Sequence, residues 1–173
     1  MMTTSNERTR EIFTVGLRNA HSMENEALSI MEAQVKRLEH YPQLEARLRQ
    51  HIEETKVQKD RLETILKSYG DGTSTLKDMA ASIMGSMAAM SHAVAGDEIL
   101  KNSFADFAFE NFEIAAYRSL ITMAEAVGDQ TAIAPLQASL EEELQMASWL
   151  ENNLPEVTQT YLQRESAGET AKR

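Results

Sequence analysis

Glutamates interrupt the apolar stripes of this sequence where a core is expected. Phe13, Leu17, Ala20, Ala27, Met31, Val35 and Leu38 recur at heptad-like spacing, and the member missing from the series is Glu24, with His21 one turn before it. His51 and Glu54 lie three apart between Leu48 and Leu62, and Glu110 and Glu113 lie three apart among Phe107, Phe109, Phe112 and Ile114. Leu140 is followed by Glu141-Glu142-Glu143 and then Leu144. Residues three apart share a helical face. A carboxylate buried alone costs several kcal/mol unless it is paired or bound to metal. Carboxylate oxygens gathered with an imidazole are a ligand set for iron or manganese.

Composition removes the competing chemistries. The 173 residues include no Cys, which excludes disulfides, zinc ribbons, iron–sulfur clusters and thiol nucleophiles. Four His without Cys build no zinc-hydrolase constellation, and neither a Gly-rich phosphate loop nor a serine-nucleophile signature occurs. Lys and Arg total 17 against 27 Asp and Glu, a net charge of −10 that argues against nucleic acid and anionic membrane as partners. No apolar run approaches the length of a membrane span, and the polar start Met1–Arg10 lacks the apolar core of a signal peptide. The expectation is a cytoplasmic protein.

Long helices must position these groups. Gly and Pro are scarce, and Ala, Leu, Met, Glu, Gln and Lys, which lose little side-chain entropy in a helix, dominate. Breakers fall at Tyr41-Pro42, Gly70-Asp71-Gly72, Gly96-Asp97, Gly128-Asp129 and Leu154-Pro155. They divide a single all-α domain over 1–173 into helices of about 5–39, 43–69, 98–127 and 130–153, with a shorter helix over 74–94 and a frayed tail over 166–173. Two short turns make two antiparallel hairpins, and the long middle connection crosses the whole bundle, the layout of a ferritin-like four-helix bundle. The third long helix is apolar nearly all round, which predicts deep burial.

The two hairpins align with each other. Leu48, Ile52, Glu53, Glu54, Leu62, Glu63 and Leu66 match Leu136, Leu140, Glu141, Glu142, Leu150, Glu151 and Leu154 at an offset of 88, and Glu24 matches Glu113 at 89. Each half of a duplicated hairpin would then present one Glu from each helix, and four carboxylates would meet around one point. On the last helix two choices stay open. The repeat selects Glu142, whereas the cleaner heptad Leu136, Leu140, Glu143, Ala147, Leu150 selects Glu143.

From about Glu11 to Leu154 the chain resembles the bacterial YciE/YciF family of ferritin-like proteins. The resemblance rests on Leu17-Arg18-Asn19-Ala20 with Glu24 behind it, and on His51-Ile52-Glu53-Glu54-Thr55 continuing to Arg61-Leu62-Glu63. It extends to Glu110-Asn111-Phe112-Glu113-Ile114-Ala115-Ala116-Tyr117 and Leu140-Glu141-Glu142-Glu143. It implies a ferritin-like bundle with a fifth short helix, a homodimer and a link to bacterial stress responses, but no established reaction. Di-iron members of the wider class carry Glu-Glu-x-x-His on the second and fourth helices. Here the His positions hold Val57 and Gln145, and Asn111 stands where related proteins place a His between the third-helix acids.

The expected function is therefore a di-iron or manganese carboxylate protein with an oxidase, peroxidase or iron-handling role. Glu54 and Glu142 would bridge, Glu24 and Glu113 would be terminal ligands, and Glu110 or His51 would complete the set. The competing reading is a non-catalytic helical stress protein with a vestigial site. A third, a soft copper(I) site at Met79, Met84, Met87, Met90 and His92, competes with plain Met packing.

Overall fold

The chain turns where its few Gly and Pro residues stand. In the computed structural model, residues 4–71 and 95–173 are described. Four long helices, with no strand among the described residues, make up the fold: α1 (Thr4–Gln34), α2 (Pro42–Ser68), α3 (Glu98–Val127) and α4 (Gln130–Ser166). Thus the chain is an all-α bundle, as its composition predicts. A short 3₁₀ turn (Val35–Arg37) follows α1, and Pro42 opens α2 at a position where its missing N–H is not needed. Gly128 takes φ 76°, the left-handed C-cap of α3, and Asp129 then caps α4 by accepting from the N–H groups of Thr131 and Ala132 at 3.1 and 3.2 Å.

Interhelical bonds fix the topology. Asp71, just beyond α2, accepts two 2.6 Å bonds from Arg18 midway along α1, and Glu98, the first residue of α3, is paired with Arg37 beyond the end of α1. The chain leaving α2 must therefore travel the distance from Arg18 to Arg37, about 30 Å of helix, before α3 begins. Around the bundle the neighbours are α1 with α2, α2 with α4, α4 with α3 and α3 with α1. Gly16 lets α3 approach α1 closely: a Cβ there would meet Leu120 Cδ2 at 3.0 Å. The short helix expected over 74–94, and the Met79–His92 group with it, lies outside the described residues.

Two features depart from the sequence reading. The last helix does not stop near Asn153 but runs through Pro155 to Ser166. Pro155 is on the solvent side, where the carbonyl its ring leaves unbonded can be hydrated, while Val157 packs into the core. The tail expected to fray is instead anchored, with Ala171 buried and its carbonyl accepting a 2.5 Å bond from the Tyr41 hydroxyl. Secondly, α3 is not buried all round. Phe104 and Phe112 are 53% and 62% exposed, because its inward stripe is polar: Ser103, Asp106, Glu110, Glu113 and Tyr117.

The core is split in two. One apolar cluster gathers Phe13, Leu17, Leu62, Leu66, Leu120 and Leu136, and the other gathers Met31, Val35, Leu44, Leu48, Ile99 and Leu150. Between them lies a buried layer of Glu24, His51, Thr55, Gln58, Glu110, Glu113, Ser139 and Glu143.

Candidate metal centre

Each helix contributes to the polar layer from its inward stripe. On α2 that stripe runs His51, Thr55, Gln58, Leu62, and on α4 it runs Ser139, Glu143, Met146, Leu150. These are the same positions at the offset of 88, so the duplication is real in register. The residue types have diverged, however: His51 faces the centre from one half where Ser139 does so from the other, and Glu143 is matched by Thr55.

One atom from each of His51, Glu110, Glu113 and Glu143 lies within 4.8 Å of the others, all four side chains being buried. The Glu54 carboxylate, 2.8 Å from Nδ1 of His51, orients the ring so that Nε2 faces the acids. Nε2 is 3.2 Å from Oε2 of Glu110 and 3.3 Å from Oε2 of Glu143, close enough for charge attraction. Neither oxygen receives a hydrogen bond. Glu24, fully buried, accepts a short hydrogen bond from the Tyr117 hydroxyl at Oε1 and leaves Oε2 unpartnered. Glu110, Glu113 and Glu143 leave four more carboxylate oxygens in the same condition. Native interiors rarely leave such atoms unsatisfied.

The electrostatics follow from this crowding. Burial, then the charge of Glu143, pushes the Glu24 carboxyl up to about 8. Burial, with Glu143, Glu24 and Glu110 nearby, drives Glu113 well above the usual carboxylate range. Burial lifts Glu143 to about 7 against the pull of His51. For His51, burial works against the charged form, but the facing carboxylates of Glu110, Glu143 and Glu54 outweigh it and raise the imidazole well above its ordinary value. One imidazolium thus faces four carboxyls that cannot all ionise unless further positive charge arrives.

The structure brings together five of the six residues singled out from sequence and sets one apart. Glu24, Glu110, Glu113 and His51 face the centre. Glu54 sits at its edge, also held by Arg47 at 3.0 Å and lowered to about 2: burial opposes ionisation, but bonds from His51, Gln50 and Arg47 prevail. Glu142 turns away to Arg61, at 2.7 and 2.9 Å, and Glu143 takes the central place on α4. The heptad signal, and not the repeat, finds Glu143. Val57 and Gln145, which replace the expected His ligands, both face outward: Val57 is exposed and Gln145 bonds the surface residue Glu141. Tyr117 and Asp106 were not singled out, although both lie on the stripe that contains Glu110 and Glu113.

Donor chemistry fits a metal ion: a buried imidazole nitrogen and five unsatisfied carboxylate oxygens within one layer. A family model described as Domain of unknown function (DUF892) matches residues 8–163. Among solved structures, the crystal structure of a protein from Xanthomonas campestris pv. campestris is similar, with 31% sequence identity and a TM-score of 0.76. The similarity covers 91% of this chain and 99% of that one.

Proposed function

The chain belongs to this YciF-like family of unknown function, and from that premise we propose that it is a ferritin-like metal-carboxylate protein whose centre binds iron or manganese. The five carboxylate oxygens in the middle layer that receive no hydrogen bond, two of them facing only His51, are the observation that carries this reading. His51, Glu110, Glu113 and Glu143 hold the first ion, and Glu24 supplies the further oxygen that a pair of ions needs. When bound, iron supplies redox chemistry toward oxygen or peroxide, the kind of reaction a role in bacterial stress or iron handling would use.

The protein's own groups prepare the centre. Glu54 holds the His51 ring in place, and Tyr117 fixes Glu24 through one oxygen while leaving the other available. Arg61 occupies Glu142, so that α4 offers Glu143 alone. The apolar clusters on both sides exclude water from the layer and strengthen every charge interaction within it. Exposed Ile12, Val15, Phe104 and Phe112 on α1 and α3 support a homodimer, with these residues as surface that a second copy would cover.

Metal analysis of the purified protein tests the reading. Near-stoichiometric iron or manganese, with anomalous scattering at the corresponding edges from the bundle centre, is the expected result. No bound metal after both aerobic and anaerobic loading would overturn it and leave a non-catalytic bundle with protonated acids at its middle.

A further inference from the structure

A centre enclosed between two apolar clusters needs a way in for its cation. The inward stripe of α3 does not begin at Glu110. Its first acid lies one turn earlier, at Asp106, and along the acids the exposure falls from 6% at Asp106 to 4% at Glu110 and 1% at Glu113. Four residues of helix separate Asp106 from Glu110, a rise of about 6 Å, and the next step to Glu113 is about 4.5 Å. The carboxylates thus form a ladder leading from the α1–α3 seam into the centre.

A cavity stands at the foot of that ladder. Ala27 and Met31 from α1 and Ala105 and Phe109 from α3 line a space of about 10 Å³, with Asp106 and Glu110 as its two acids. Its volume is of the order one water molecule or a small ion requires. Small side chains at 27 and 105 leave this space open, and Ala105 is only partly buried. Glu110, itself 4% exposed, lines the cavity, and its Oε2 receives no hydrogen bond beyond the charge contact with His51. Asp106 is steadied across the seam by a 2.8 Å hydrogen bond from Gln34 of α1. Among the described residues no cation is shown paired with Asp106, whereas Glu98, two turns away on the same helix, is paired with Arg37.

We propose that the α1–α3 cleft at Asp106 is the inlet for divalent cations, with Asp106 as a transient binding residue that passes the ion to Glu110 and then to the centre. The proposal rests on the metal-centre reading above and adds the route to it. Asp106 on this account governs the rate of loading and not the affinity of the loaded state. Its carboxylate oxygens, lining the cavity beside Glu110, give an arriving cation a first anionic partner, and replacing one of them by an amide slows capture.

Stopped-flow uptake of Co(II) by the metal-free full chain, followed by visible absorption and paired with equilibrium titration, tests this. Asp106→Asn is expected to slow second-order uptake about tenfold, with the final stoichiometry unchanged and affinity within about twofold. Ala105→Leu, which fills the cavity from its partly exposed side without touching a carboxylate, is expected to slow uptake as well. Glu151→Gln, an equal charge change on the exposed face of α4, is expected to load at the parent rate. If the parent protein takes up no Co(II), the metal-centre reading and the inlet fall together. If the parent loads but both variants load equally fast, the inlet alone is overturned. If Asp106→Asn loses binding capacity, Asp106 is a ligand of the centre, and the proposal is again overturned.

Discussion

Acids are withdrawn from water at two kinds of place in this bundle, and they are treated differently. Toward the ends and edges one buried and three half-buried acids are each given an arginine. Glu98 is held by Arg37, Asp71 by Arg18, Glu142 by Arg61 and Glu54 by Arg47. In the middle layer Glu24, Glu110, Glu113 and Glu143 share one histidine and have no arginine among them. The chain has the means to neutralise an acid with its own cations and uses it where the acid is structural. Where it supplies only His51, the proposed metal ion is the remaining positive charge.

The largest expected effect separates the two neighbours on α4. Glu143→Ala removes a central oxygen donor and is expected to weaken Mn(II) binding by about 100-fold or more, since loss of even an outer partner of a ligand costs 10–100-fold. Glu142→Ala leaves Arg61 and Gln58 without their carboxylate but removes none of the four grouped donors, so binding should stay within about threefold while stability falls by about 1 kcal/mol. Isothermal titration and thermal melts of the two variants check this. Equal losses of affinity would erase the distinction between centre and edge.

Why Glu143 and not Glu142 stands at the centre shows how far the sequence can be read. The offset of 88 places α2 and α4 in correct mutual register, as the paired stripes His51, Thr55, Gln58, Leu62 and Ser139, Glu143, Met146, Leu150 show. Identity between the halves, however, survives at Glu54 and Glu142, beside the stripe, where each acid keeps a half-buried arginine. Repeated residues mark what both halves need, and the centre is where the halves differ. The heptad pattern reports burial directly and so points to Glu143. The four long helices follow from composition and from Gly and Pro placement. The inward polar stripe of α3 was hidden because its phenylalanines sit among the acids, and periodicity alone does not say which face turns inward.

The next effect in size concerns pH. Glu24 and Glu143 are raised from the ordinary carboxylate range to about 8 and about 7, and Glu113 is raised well above it. A carboxyl whose pKa is higher in the folded state favours folding while it is protonated. That contribution is complete below the unfolded value near 4.5 and is lost as pH rises through the folded one. His51, also raised, loses its contribution in the same direction. The metal-free protein should therefore melt lower at pH 8 than at pH 5, by about 5 °C or more. Saturating Mn(II) should reverse the slope, because the ion favours the ionised acids. The edge pairs add almost no slope here: Glu54, held at about 2, favours the folded state throughout this range and loses that contribution only at lower pH. A metal-free melting temperature that rises over the same interval would mean that the middle acids are already neutralised from within.

An edge pair can be broken for comparison. Glu98 is 2% exposed and bonded to Arg37 at 2.5 and 2.7 Å. Glu98→Gln removes the charge from a pair whose arginine is one-third exposed, so a loss of about 1.5 kcal/mol is expected, below the figure for a fully buried pair. Chemical denaturation measures it, and Mn(II) affinity should not change.

The smallest effect is expected at Pro155. An interior proline removes one helical hydrogen bond and crowds the preceding turn, a penalty of about 3 kcal/mol in a free helix. In α4 most of that penalty is already offset, because the ring and its unbonded neighbour face water and Val157, half a turn beyond, is held in the apolar cluster with Leu44 and Leu150. Pro155→Ala should therefore stabilise the protein by less than about 1 kcal/mol. It lies beyond the apolar cluster that separates this end of α4 from Glu143, so cation affinity should stay as it was. A change in Mn(II) binding in this variant would mean that strain at the end of α4 reaches the middle layer, and that the upper apolar cluster does not insulate the centre.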